Sequence, residues 1–354
     1  VNSITPASGA TNVSFQSTIT INLSQPLAPG STLPAVTPPV PGGWTESSPT
    51  TLVFRPTAQL APFSTVRVSV PGGPSGIRDT HGAMLASTVE SSFTVQGASV
   101  LRLQQVLAEL EYLPVTFVHS SLASPGGTPS LSDYPLGGGV APHSNSAGAI
   151  SSEPTAADEV PLAPLAGHFT WRFPNTPQSL ESLWVAGQPN VMLVGAVMAF
   201  ESAAGLAVDG DAGPAVWRAL LTDVAARKFD ASPYNYLMVS ETLPETLTVW
   251  QDGKTLLDYP ANTGITAAPT ATGTYPVYAR YLTTTMSGTE PNGHKYKDPG
   301  IPWVSYFNGG DAVHGYIRPS YGYPQSLGCV ELSYADAQVV FNYDPLGTLV
   351  TVSA

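Results

Sequence analysis

The sequence predicts a multidomain, mainly β chain: a β-sandwich, then a small α-helical bundle, then a second, mostly-β domain. Three observations predict it. A length of 354 residues holds two or three domains of roughly 100–200 residues each. Pro and Gly number 35 and 33 while only 11 % of residues are charged, which fits turn-rich β structure better than a coiled coil or an all-helical chain. Short alternating apolar runs fill both ends of the sequence, whereas helical periodicity is confined to its middle.

Charge and cysteine content narrow the chemistry. A net charge of −12 with only 13 Lys and Arg argues against nucleic acid, because phosphate binding needs a basic stripe. It argues equally against a polybasic membrane contact. No stretch approaches the ~18–20 apolar residues of a membrane span, and the longest weakly polar run, Val191 to Phe200, is too short. Low charge, abundant small polar residues and a first residue other than Met favour a mature exported protein whose signal or anchor was removed over a cytosolic chain. The single cysteine, Cys329, rules out an intramolecular disulfide and a cysteine-based zinc site. Such a cysteine is either a buried small hydrophobe or a reactive thiol.

Residues 1–97 alternate as strands do, at Ser17 to Leu23, Thr51 to Phe54, Val66 to Val70 and Ser91 to Val95, with Pro-Gly turns at 41–43 and 71–73. Several short strands punctuated in this way predict an immunoglobulin-like sandwich. The Ile4-Thr5-Pro6 opening with Gly9, and Ile77-Arg78-Asp79 with Gly82, resemble bacterial Ig-like modules of wall proteins. Residues 98–235 change period. Leu103, Val106, Leu107 and Leu110 share one helical face, a second helix is predicted around 195–201, and a third opens at Pro214, where a missing N–H is harmless. The order of AVMAF, GLAVDG and GPAVW resembles a three-helix peptidoglycan-binding domain, split by a Ser-, Gly- and Pro-rich insert at about 119–180. A spacer that packs on its neighbours is the alternative. Residues 236–354 return to β structure. Asp252-Gly253 marks a hairpin turn between 247–250 and 254–257, further strands are predicted at 274–278, 303–307 and 349–352, and one helix at 334–341.

The chemistry concentrates at Cys329. It follows Gly328, which permits a tight turn and helps aim backbone N–H groups at a developing oxyanion. All six histidines precede it and no Lys or Arg follows it. Papain-like peptidases place the base after the nucleophile, and sortases need an Arg after it, so what remains is His before Cys at close spacing, with His314 as the base. An imidazole beside a thiol can take its proton, which predicts alkylation faster than that of a free thiol near neutral pH. A core cysteine with a satisfied buried histidine is the alternative.

His314-Gly315 followed by Ser326-Leu327-Gly328-Cys329-Val330 resembles the signature of YkuD-type L,D-transpeptidases. The resemblance extends upstream through Glu245 to Gly253, Asn262-Thr263-Gly264, Pro269-Thr270 and Gly273-Thr274-Tyr275. It departs at Leu327, where the motif usually has a second His, and at Glu331, where Arg or Asn is common. The resemblance implies a thioester acyl-enzyme at Cys329, His314 oriented by the Gly315 carbonyl, and Gly328 at the nucleophile turn. It implies Ser326, Leu327, Tyr306, Phe307 and Tyr316 around the substrate, and makes Arg318 a candidate for a substrate carboxylate. The implied partners are peptidoglycan stem peptides in the cell envelope, with carbapenem-type β-lactams as covalent inhibitors and no metal or organic cofactor. The implied reaction is a cross-link joining the third residues of two stems. Hydrolysis of the same acyl-enzyme, as an L,D-carboxypeptidase, and a non-catalytic wall-binding protein are the alternatives. His294, in Asn292-Gly293-His294-Lys295-Tyr296, falls on a lid or exposed loop, and Asp311 is read as a turn residue.

Overall fold

The computed structural model describes residues 1–120 and 160–354, so most of the predicted insert at about 119–180 lies outside the described residues. The chain forms two compact units. One contains residues 1–102 and 213–228, with 160–165; the other contains 103–120, 166–212 and 229–354.

In the first unit, strands β1 (Ser3–Thr5), β2 (Ile19–Asn22), β4 (Gly42–Ser48) and β5 (Thr51–Pro56) make an antiparallel sheet in the order β1-β2-β5-β4. Strands β3 (Ala35–Thr37), β6 (Thr65–Val70) and β7 (Val89–Thr94) make a second, in the order β3-β6-β7. Alternation sends Ile19, Ile21, Leu52 and Phe54 from the first sheet, and Val66, Val68, Val70 and Phe93 from the second, into one core. Each such side chain, fully buried, stabilises the fold by about 1.5–3 kcal/mol. This is the predicted sandwich. Helix α4 (Pro214–Ala226) belongs to the same unit, begins at Pro214 and buries Val216, Trp217, Leu220, Leu221 and Val224.

The second unit is built on two sheets. Strands β10 (Asn235–Ser240), β11 (Thr246–Gln251), β12 (Lys254–Pro260), β13 (Gly273–Pro276) and β18 (Leu349–Ser353) run in the order β12-β11-β10-β18-β13, with only β10 and β18 parallel. Asp252 and Gly253 both take positive φ at the β11–β12 turn, as the Asp-Gly signal predicts. Strands β14 (Ala279–Thr289), β15 (Lys295–Asn308), β16 (Asp311–Gly315) and β17 (Val330–Leu332) form the second sheet, antiparallel except for β16 and β17. Helix α5 (Tyr334–Val340) follows, capped by the Ser333 hydroxyl, which accepts the Asp336 N–H at 3.1 Å. Leu237, Val249, Val350, Phe307, Val313, Val330 and Leu332 share one core. The other face of the second sheet carries Ile301, Val304, Ala312, Tyr306 and Cys329. A strand shows successive side chains to opposite faces, and that alternation separates core from site.

The predicted helices are present but do not gather into a compact unit of their own. Helix α1 (Val100–Glu109) passes from one unit into the other, and α4 lies with the sandwich. Helix α3 (Val191–Ala204) lies in the second unit with strands β8 (Val115–His119) and β9 (Gly167–Trp171) and the short α2 (Gln178–Glu181). Asn190 caps α3 by accepting the Leu193 N–H at 2.8 Å, and Gly205 ends it in the left-handed conformation. The middle of α3 approaches the turn before β18 so closely that a Cβ on Gly195 would stand 2.5 Å from the Gly347 carbonyl oxygen. Nearby, Tyr236 donates to Ser179 Oγ at 3.0 Å and Trp250 Nε1 to the Asn175 carbonyl at 3.2 Å. Among the described residues no helix is long and apolar enough to cross a membrane.

Candidate active site

Strand β17 is short, and its position is fixed by the segment that the sequence singles out upstream. Asn262 and Glu331 exchange backbone hydrogen bonds at 2.9 Å in both directions. The Thr263 carbonyl accepts the N–H groups of Gln325 and Ser326, and Ile265 N–H donates to Ser326 O. Thr263 is held in turn by the buried Glu245 carboxylate, which accepts its N–H at 2.7 Å and its hydroxyl at 2.8 Å. Thr270 Oγ1 accepts the Gly264 N–H at 2.8 Å. The Asn-Thr-Gly and Pro-Thr pieces thus brace the chain on either side of Cys329.

Cys329 stands just before β17, whose Val330 pairs with Val313 and whose Glu331 pairs with His314. Paired residues share a face, so His314, Glu331 and, two residues back, Cys329 all face away from the core. All three line a cavity of about 880 Å³. His314 is only 3 % exposed. Its Nδ1 lies 3.0 Å from the Gly315 carbonyl oxygen. A carbonyl can only accept, so Nδ1 carries the proton and Nε2 keeps its lone pair. Burial holds the imidazole pKa below its ordinary value, opposed by the Gly315 hydrogen bond and by Glu331. The thiol points to the Gly310 carbonyl at 3.7 Å. Burial pushes it up to about 12; the Ala312 N–H opposes the rise, and Asp311 and Glu331 add to it. At rest the cavity therefore holds a neutral thiol and a neutral base. The raised thiol pKa, with burial its largest cause, runs against the expectation of alkylation faster than that of a free thiol. Slow alkylation consequently fits an active site as well as a core cysteine, and acylation is the measurement that separates them.

The remaining predicted residues divide. Tyr306, Tyr316 and Leu327 line the cavity, Leu327 with 38 % exposure. Phe307 does not: it is 2 % exposed and packs in the core. Adjacent strand residues cannot face the same way, so Tyr306 and Phe307 cannot both be cleft residues. Ser326 is 1 % exposed, and its hydroxyl braces the turn, donating to Cys329 O at 2.6 Å and accepting Gly328 N–H at 3.2 Å. That removes Ser326 from the substrate and engages the Gly328 N–H that the sequence reading offers to an oxyanion. Arg318 lines the cavity but is not free for a substrate carboxylate. Its Nε and one terminal nitrogen each donate to Glu331 at 2.8 Å, and the same terminal nitrogen reaches Gln325 O at 3.1 Å. A forked pair of this kind is strong and directional, and the guanidinium also lies 4.6 Å from the Tyr316 ring centre. The reversed charge at Glu331 is thus matched by Arg318.

Several lining residues escape the sequence reading. The β14–β15 hairpin brings Met286, Glu290, Asn292, Tyr296 and Asp298 to the cavity, while His294 at its tip is exposed. The alternation of exposed Lys295 and Lys297 with half-buried Tyr296 and Asp298 is the signal that marks the inward pair. Asp311, read as a turn residue, also lines the cavity.

Two stretches of the chain match known protein families. Residues 234–352 match the family described as the L,D-transpeptidase catalytic domain (YkuD), and residues 1–95 match the bacterial Ig-like domain. A search of curated proteins finds no match. Among solved structures, an L,D-transpeptidase from Mycobacterium smegmatis is 13 % identical, covering 100 % of this chain and 98 % of its own, with a TM-score of 0.31. L,D-transpeptidase 3 from Mycobacterium tuberculosis, in complex with a faropenem-derived adduct, is 13 % identical over 100 % of this chain and 98 % of its own, at a TM-score of 0.32. The catalytic domain of the E. faecium L,D-transpeptidase is 23 % identical over 35 % of this chain and 100 % of its own, at 0.31. The chain therefore carries, at residues 234–352, a catalytic domain of the YkuD L,D-transpeptidase family, and at residues 1–95 a bacterial Ig-like domain.

Proposed function

We propose that the protein is a cysteine-dependent peptidoglycan L,D-transpeptidase working in the cell envelope. The observation that carries the reading is His314, locked by the Gly315 carbonyl so that Nε2 remains a free base on the same cavity face as Cys329. A stem tetrapeptide enters as donor. The thiol leaves the Gly310 carbonyl and passes its proton to Nε2 as sulfur attacks the donor carbonyl carbon. The tetrahedral intermediate collapses, the amine of the terminal D-residue takes the proton from Nε2 and departs, and a thioester remains. The side-chain amine of a second stem attacks the thioester, His314 takes its proton, and the thiol is restored. The Cys329 N–H and the phenols of Tyr296 and Tyr306 are assigned to the oxyanion. Both phenols are held above their ordinary pKa, first by burial and then by Cys329, and so stay proton donors. Intact mass after incubation with a tetrapeptide donor tests the reading: an acyl adduct on the chain supports it, and an unmodified chain with unconsumed donor refutes it. Free tripeptide as the main product, with an amine acceptor present, would make the protein a carboxypeptidase instead.

Helix α3 is read as a support of the catalytic sheet rather than a glycan binder. The close approach of Gly195 to Gly347 uses a face of α3 against the catalytic sheet.

Two expected results follow from the site. Acylation needs neutral His314, so its rate is full above the folded His pKa and is lost as pH falls through it. Burial lowers that pKa from the ordinary 6.5, so the half-loss of the carbapenem acylation rate lies below pH 6.5; a midpoint above that value would show that an opposing charge outweighs burial. The second concerns Leu327. A histidine there offers a ring N–H that leucine lacks, and one oxyanion donor is worth ~3–4 kcal/mol where it is needed. The donors assigned above do not depend on side chain 327, so Leu327→His is expected to leave stopped-flow acylation within about tenfold, or ~1.4 kcal/mol in barrier. A hundredfold gain would mean that the natural site lacks a donor and would favour a wall-binding role.

A further inference from the structure

Asp311 opens β16 and lines the cavity that holds Cys329. Its carboxylate joins three segments. Oδ2 accepts the Ala271 N–H at 3.2 Å, from the loop ahead of β13. The Asn308 side chain, at the end of β15, donates to the same group. Oδ1 lies against Gly328, 2.5 Å from where a Cβ would stand. A residue that only closed the β15–β16 turn would have no reason to reach either Ala271 or Gly328.

The electrostatic setting singles out the same residue. The charged and titratable groups that line the cavity with the sulfur are Asp311 and His314 on β16, Glu331 on β17, Tyr296, Tyr306 and Asp298 on β15, Glu290 from the β14–β15 turn, and Tyr316 and Arg318 after β16; Tyr278 also acts on Asp311. Glu331 is matched by Arg318. Among the described residues no cation pairs with Asp311. Its charge therefore acts on Cys329 without a counter-ion.

We propose that Asp311 is a positioning residue for the nucleophile: its carboxylate, hydrogen-bonded to the Ala271 loop, packs against Gly328 and so fixes the Gly328–Cys329 turn, and it sets a negative charge without a counter-ion on the cavity wall that holds the sulfur. The free thiol is thereby guarded against electrophiles that do not engage His314, while a donor seated in the cavity meets a sulfur already in place. This rests on the reading of Cys329 as the nucleophile.

The test uses the full chain, wild type and three variants, with two readouts by intact mass: iodoacetamide alkylation across about pH 6–10, a range that brackets a free thiol, and carbapenem acylation. Asp311→Asn keeps an oxygen for the Ala271 N–H but removes the charge. It is expected to move the alkylation profile to lower pH and to raise the rate severalfold at a fixed pH near 8. Asp311→Ala removes charge and clamp together; alkylation rises, yet carbapenem acylation falls by at least about tenfold, as small misplacements of a reacting group do. Asp311→Glu restores the charge and returns the alkylation profile toward that of the wild type. An unshifted profile for Asp311→Asn, or wild-type acylation by Asp311→Ala, overturns the proposal while Cys329 remains the nucleophile. A wild-type chain that forms no carbapenem adduct overturns the nucleophile reading and this proposal with it.

Discussion

Replacing Cys329 by serine is expected to abolish covalent chemistry on this chain. The wild type should gain one carbapenem per molecule, and Cys329→Ser none, a loss of at least ~10³-fold in acylation rate, as expected when the nucleophile of a concerted site is removed. The argument begins with the resting thiol. Even held at about 12 by burial, a thiol releases its proton to His314 more readily than a hydroxyl does, and sulfur is the better nucleophile. Serine is close in size, so the variant should melt with the wild type, and a lost adduct will not reflect lost folding. The chain has a single cysteine, so an adduct surviving in Cys329→Ser would place the reacting group on another side chain and remove the basis of the mechanism.

The candidate pair, His314 and Cys329, was legible in the sequence because its signal is order and spacing, which folding does not alter. His314 precedes Cys329, a glycine follows the one and precedes the other, and the Asn-Thr-Gly segment lies upstream. The structure explains why that segment belongs to the pattern: it hydrogen-bonds to Gln325 and Ser326 before the Cys329 turn and to Glu331 after it. Strands and helices were legible for a similar reason, since their periods are local. What escaped the sequence depends on pairing at a distance. Arg318 looked free because nothing in a linear string shows Glu331 folding back on it. The thiol looked activated because burial cannot be read from Gly-Cys-Val. The helical stretch looked like one domain, but its apolar faces are divided between two units. Phe307 is the exception. Strand alternation from Tyr306 was available in the sequence and would have placed it in the core.

The last expected result tests the turn that presents the nucleophile. Gly328 has φ of +113°, outside the range that side-chain-bearing residues adopt without strain of order 1–3 kcal/mol. An alanine Cβ would also stand 2.5 Å from Asp311 Oδ1, far inside contact distance. Asp311 cannot simply swing aside, because Oδ2 holds the Ala271 N–H. The turn must therefore shift, and Cys329 with it. A displacement of about 1 Å in a reacting group can cost 10²-fold in rate, so Gly328→Ala should slow carbapenem acylation by ~10² or more and lower the melting temperature. Adding Asp311→Ala to Gly328→Ala removes the obstructing carboxylate but leaves the backbone strain. The double variant should then regain part of the lost melting temperature while acylation stays low, because the clamp on the turn is gone as well. Full-rate acylation by Gly328→Ala alone would show that the turn tolerates a side chain and that the close packing on Asp311 does not position the sulfur.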